Sequence, residues 1–144
     1  MKRHSTAIWK GALGDGTGAI TTQSGALQDN GYSFKARFED ESGKAGTNPE
    51  ELLAAAHAGC FAMQLSHFLA ENGTPADELK ATSTVKVEQV SGGFEIQESA
   101  IKLEAKVPGI EQAKFEELTE KAKSGCPVSK ALGAITITLD AQLV

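Results

Sequence analysis

Two thiols and two nearby histidines are where this chain could do chemistry. Cys60 sits in "TNPEELLAAAHAGCFAMQLSHFLA" (47–70), an otherwise apolar stretch, three residues after His57 and seven before His67. Cys126 sits in "SGCPVSK". Their surroundings pull in opposite directions. Apolar burial raises a thiol's pKa and leaves it inert. A Cys-Pro at a helix start instead places sulfur beside unpaired backbone N–H groups and the positive end of the helix dipole, which favours thiolate. Each also has a plain structural reading: Cys60 as a small core hydrophobe, and Cys126 as a tolerated cap residue.

Three chemistries could join these parts. A zinc site would draw on His57, Cys60, His67 and Cys126, but H-x2-C on one helix is not a standard zinc spacing. A cysteine hydrolase would pair Cys60 with His57, yet such enzymes usually take the base from elsewhere in the fold and need an oxyanion hole. A dithiol redox enzyme would use one cysteine as attacker and the other as resolver. That reading requires a fixed cation to ionise a buried thiol. Arg37, on the polar side of the alternating segment "YSFKARFE", is the candidate; a solvated strand charge beside Lys35 and Glu39 is its plain alternative.

The elements that must position these groups can be read from pattern. "TAIWKGA" and "TGAITTQSGAL" are Thr- and Ile-rich and broken by glycines, which predicts a hairpin. "YSFKARFE" alternates, with Tyr32, Phe34, Ala36 and Phe38 on one side, which predicts a third strand. Asn48, Pro49 and Glu51 make a capping box with proline at the first helical position, and Asn72-Gly73 supplies a stop near Glu71. The helix between them is apolar nearly all round. Leu53, Ala56, His57, Met63, Gln64 and His67 share the stripe through Cys60, and Leu65 and Leu69 fall opposite. A second hairpin, "ATSTVKVEQV" and "FEIQESAIKLEAKV", changes apolar parity and so carries a bulge near Ser99. A second helix holds Phe115, Leu118 and Ala122 at helical spacing and closes at Gly125. One further turn over "CPVSKAL" and a final strand "AITITLDAQLV" complete the chain.

At 144 residues, 40% apolar and 23% charged, this is the composition of one globular α+β domain. The formal net charge of -5 argues against nucleic-acid binding. The basic start "MKRHSTAIWKGALGDG" has no apolar run after it, unlike a signal peptide. His57 and His67 interrupt the greasy segment, which leaves it too short to span a bilayer. A soluble, cytoplasmic protein with reduced thiols is expected, without membrane or nucleic-acid partners. A domain this small can hardly wrap so apolar a helix alone, so a second chain should help cover it.

"GTNPEELLAAAHAGCFAM" around Cys60 and "KAKSGCPVSKAL" around Cys126, with "RFE" upstream, "VPGI" before the second helix and the terminal "ITITLDAQL", resemble the osmotically inducible protein C (OsmC) family. This is a branch of the OsmC/organic hydroperoxide resistance superfamily, and the resemblance runs over essentially the whole of 1–144. It implies an OsmC-like α+β fold with antiparallel sheets around a long buried helix, in an intertwined homodimer with two interfacial sites. It implies a thiol peroxidase for organic hydroperoxides, less active on hydrogen peroxide, recycled by an external dithiol, with no metal or other cofactor. Carried over by position, Cys60 attacks, Cys126 resolves, and Arg37 with Glu50 activates Cys60. A different class, a dimeric binding protein with an apolar cleft and incidental thiols, stands as the alternative.

Overall fold

The computed structural model describes residues 1–144, in two compact units, Met1–Pro49 and Glu50–Val144. In the first, β1 (Ser5–Lys10), β2 (Thr17–Thr22) and β3 (Asn30–Ser33) form an antiparallel sheet in that order. The predicted hairpin is β1–β2. Gly18 lies where a Cβ would collide with the Ile8 carbonyl and the Tyr32 ring, so only glycine lets these strands approach.

The third strand is shorter than its alternation suggested. β3 stops at Ser33, and Phe34–Phe38 is a one-turn helix, α1. Ser33 turns the chain: its backbone is extended and its hydroxyl accepts from the Ala36 N–H at 3.0 Å, an N-cap. Phe34 and Phe38 then meet one turn apart, ring centroids 4.9 Å from each other. Residues that alternate by two also recur by four, and the cap decided between the periods. Arg37 therefore rides on α1 rather than on a strand, with its guanidinium 4.7 Å from the Phe38 ring centroid.

The second unit is built on α2 (Pro49–Glu71). The helix opens at the expected proline and ends in a Schellman turn. Gly73 adopts φ +79, its N–H reaches the Ala70 carbonyl, and the Thr74 N–H reaches Leu69, both at 3.0 Å. Following it are β4 (Glu78–Val90), β5 (Gly93–Lys106), α3 (Gln112–Gly125), α4 (Pro127–Ala131) and β6 (Thr136–Leu143). β4 and β5 pair antiparallel, as expected, but β6 joins β5 in parallel. The antiparallel sheets expected are found throughout except at this one pairing. A parallel neighbour needs a crossover long enough to return to the starting end, and α3 with α4 supplies it.

The hairpin's register slips between Lys86 and Val87: Lys86 faces Glu98 but Val87 faces Ile96, which leaves Gln97 as the extra residue. This is the predicted bulge, two positions before Ser99. Past it, Ser99, Ile101, Leu103 and Ala105 all turn inward. Ile101, Leu103 and Ala105 meet Phe61, Leu65 and Leu69 of α2 and Phe115, Leu118 and Ala122 of α3 in one core.

The buried stripe of α2 is thus His57, Phe61, Leu65 and Leu69, with half-buried Cys60 on its border. Leu65 and Leu69 line the core as the helix's inner side. Outward lie Ala55, Ala56, Gly59, Ser66 and Ala70, with Met63 77% exposed. With 23 residues, α2 is long and apolar enough to cross a bilayer, which corrects the expectation that the segment is too short. Its inner stripe is instead committed to packing on β5 and α3.

Candidate active site

The second unit brings Cys60 and Cys126 together across 66 residues of sequence. Their Sγ atoms stand 2.7 Å apart, the Cys126 thiol donating to Cys60. Little further approach would reach the roughly 2.05 Å of a disulfide. α2 presents Cys60 beside its Phe61 anchor. Cys126 occupies the joint where α3 ends and α4 begins, capping one helix C-terminally and the next N-terminally.

That joint alters the electrostatic reading. Cys126 faces the negative end of α3 as well as the positive end of a five-residue helix, so no simple dipole argument holds. Specific donors act instead. Burial pushes the Cys126 thiol up, but hydrogen bonding with Cys60, the Ser129 N–H and hydroxyl, and the Val128 N–H together bring it below its ordinary value. Sγ makes no side-chain cap bond to α4. For Cys60 the balance is reversed. Burial and the shared hydrogen bond with Cys126 push its thiol up, against a smaller downward pull from the Val128 N–H. Within this unit Cys126 is the more acidic thiol. Accessibility runs the other way: Cys126 is 0% exposed, whereas Cys60 is half-buried.

His57 is also fully buried, but it does not face Cys60 as a base. Its Nδ1 lies 2.7 Å from Ser99 Oγ and its Nε2 2.8 Å from Ser129 Oγ, so both ring nitrogens are engaged. Ser83 Oγ stands a further 2.9 Å beyond Ser99. Burial lowers the pKa of His57, which keeps the imidazole neutral. His67 points elsewhere, exposed and 3.5 Å from Glu71. The zinc quartet is therefore not assembled, and the Cys60–His57 hydrolase pair lacks the contact it needs. The three serines were missed in the sequence. Ser99 and Ser129 lie 42 and 72 residues from His57, and nothing local marks them as its partners.

Glu50 is buried, 8% exposed, in the first turn of α2, ten positions before Cys60. In the N-terminal unit, Arg37 lines a cavity of about 250 Å³ with Trp9, Leu13, Tyr32, Phe34 and Phe38. A guanidinium beside an aromatic and aliphatic wall suits a ligand with a polar end and an apolar body.

Two unbonded thiols in contact, one half-buried and one fully buried, on an α+β scaffold, define a dithiol redox protein. The chain belongs to the OsmC-like protein family, whose pattern matches residues 40–140. It is 47% identical to Peroxiredoxin OsmC of Escherichia coli (strain K12) over 143 residues, covering 99% of this chain and 97% of that one. It is 32% identical to the organic hydroperoxide resistance protein OhrB of Bacillus subtilis (strain 168), over 90% of this chain and 92% of the relative. The crystal structure of B. subtilis OhrB superposes with a TM-score of 0.73, covering 96% of this chain and 98% of that one at 27% identity. An organic hydroperoxide resistance protein from Legionella pneumophila gives 0.74 at 26% identity, covering 96% of each chain.

Proposed function

We propose that this protein is a cysteine peroxidase of oxidative-stress defence that reduces organic hydroperoxides, with Cys60 as the attacking thiol and Cys126 as the resolving one. The single observation that carries the assignment is the Cys60–Cys126 contact at 2.7 Å, with Cys60 the partly exposed residue and Cys126 the buried one. The names of its relatives, a peroxiredoxin and organic hydroperoxide resistance proteins, support the same activity.

The two thiols titrate as one coupled unit and share a proton once the first has ionised. A cation beside Cys60 reverses the order of acidity found within the unit; with the shared proton then on Cys126, the Cys60 thiolate attacks the terminal peroxide oxygen. The O–O bond breaks, Cys60 becomes a sulfenic acid, and the departing alkoxide takes the shared proton to leave as the alcohol. Cys126, now a thiolate, attacks the sulfenic sulfur. The S–S bond forms as S–O breaks, and the hydroxide released takes a proton from the medium. An external dithiol restores both thiols by exchange. The greater acidity of Cys126 serves the second step, and its enclosure keeps it from competing in the first.

Arg37 and Glu50 are the activating pair in this reading, the guanidinium favouring thiolate on Cys60 and the carboxylate holding the guanidinium. Ten residues of helix separate Glu50 from Cys60 by about 15 Å along the axis. A two-fold homodimer that sets two α2 helices side by side would bring these groups in from the other chain. It would also cover the outward face around Met63. One 144-residue domain per chain and a cytoplasmic location complete the proposal. Mixing Cys60→Ser and Arg37→Ala chains should then restore part of the activity that each lacks alone, because one site in each heterodimer is intact. Mixed dimers that form and stay inactive would refute the shared site.

The direct test is peroxide consumption driven by a dithiol. Each buried methylene is worth roughly 0.8 kcal/mol, so a few methylenes seated on apolar surface give more than tenfold preference. Cumene hydroperoxide should therefore be consumed with at least about tenfold higher kcat/KM than hydrogen peroxide. Equal values would remove the organic specificity while leaving the peroxidase in place.

A further inference from the structure

The hydroxyl–imidazole chain behind the thiols is not used in the mechanism above, and it is costly to build. A buried ring and three serines from four separate elements must all be satisfied at once. Ser83 of β4 touches Ser99 of β5, Ser99 touches His57 Nδ1, His57 Nε2 touches Ser129 of α4, and Ser129 stands in the first turn of α4, three positions after Cys126, the residue that caps it. Cys60 of α2 faces Cys126 from the other side.

We propose that His57 is a positioning residue for the resolving step, its Nε2–H holding the Ser129 hydroxyl turned so that Ser129 donates to Cys126 Sγ. The inference rests on Cys126 being the resolving thiol. It follows from counting protons. Ser129 has one O–H; if that proton points at the sulfur, its oxygen must accept from His57 Nε2–H. The neutral ring then has Nδ1 as acceptor, filled by the Ser99 O–H, and Ser99 in turn accepts from Ser83. All four bonds then run in one direction and end on the sulfur. The opposite tautomer reverses every one of them and turns the Ser129 proton away from Cys126.

The need arises once Cys60 has been oxidised. The thiol proton that Cys60 shared with Cys126 is then gone, and Ser129 remains as the side-chain donor to the resolving thiolate. Cys126 sulfur attacks the Cys60 sulfenic sulfur, S–S forms as S–O breaks, and hydroxide leaves to take a proton from water. A stabilised thiolate makes that attack faster than a second peroxide can convert Cys60 to sulfinic acid. The bulge at Gln97 has its use here, since it swings Ser99 inward to the ring.

The test reads Cys126 alone, in Cys60→Ser protein, by the pH dependence of its alkylation, so the result does not depend on whether Cys60 is the attacker. Hydrogen bonds to charged groups are the strong ones, so Ser129→Ala and His57→Leu should each shift the Cys126 ionisation upward by about one pH unit, close to tenfold in thiolate. Ser129→Thr and His57→Gln, which keep a donor, should stay near the parent. Nitrogen NMR of the Cys60→Ser protein, above the Cys126 ionisation, should show His57 neutral with the proton on Nε2. Unchanged Cys126 ionisation in Ser129→Ala, a ring protonated on Nδ1, or His57→Gln no better than His57→Leu would each overturn the proposal. If His57→Leu does not fold, the Ser129 pair and the NMR tautomer decide it. In protein with both thiols, the same losses should appear as slower disulfide formation after the first peroxide reduction and as more over-oxidised Cys60. Failure of that first reduction in wild-type protein would instead count against the peroxidase assignment.

Discussion

Cys60→Ser protein should consume no peroxide catalytically, whereas Cys126→Ser protein should reduce about one equivalent and then stall with Cys60 over-oxidised. A serine hydroxyl cannot carry the oxygen that a thiolate takes from a peroxide, and Cys126, fully enclosed, cannot substitute for it. In the converse variant Cys60 still attacks, but nothing stands 2.7 Å away to trap the sulfenic acid. Further peroxide then drives it to sulfinic and sulfonic forms. Mass spectrometry of peroxide-treated single variants separates the two roles. Retained turnover in Cys60→Ser, with the adduct on Cys126, would exchange the assignments and agree with the acidities of the isolated unit.

Phe61→Ala should cost about 3–5 kcal/mol of unfolding free energy, a large part of the roughly 5–15 kcal/mol that a domain has. Phe61 is fully buried, follows Cys60 directly, and packs in the cluster that joins α2 to Ile101 and Leu103 of β5 and Phe115 of α3. Removing its ring leaves a cavity in a place where three elements meet and none can close in alone. A thermal midpoint lower by roughly 10–20 °C is expected from calorimetry or denaturant titration. A loss under about 1 kcal/mol would mean that the core around Cys60 can collapse. Such softness would be at odds with a thiol held in fixed contact with its partner.

Much of the scaffold was legible because its signals are local. Pro49 and Asn72-Gly73 bracket α2, Phe115, Leu118 and Ala122 mark α3, and the parity change in β5 announced the bulge. α1 was misread because Phe34 and Phe38 satisfy both periods, and the deciding bond, Ser33 to Ala36, is a cap of a kind also found in plain turns. The parallel seating of β6 has no local signature; it follows only from the crossover that α3 and α4 make possible. At the site, residue types pointed to thiol chemistry, but the pairing of Cys60 with Cys126 came through resemblance to a family. The His57 chain was invisible because each bond spans tens of residues, and serine is too common a residue to single out.

The distance in sequence between the two sulfurs has a consequence for endurance. A crosslink closing 66 residues of chain restricts the unfolded ensemble, by about 4 kcal/mol on the chain-entropy account. If each catalytic cycle makes and breaks that crosslink, the molecule alternates between a reinforced form and a looser one. The looser form is the one that waits for peroxide. A cell rich in reductant therefore keeps this protein ready but at its most perishable. A burst of oxidant, the moment when unfolding would be most damaging, moves the population into its toughest state.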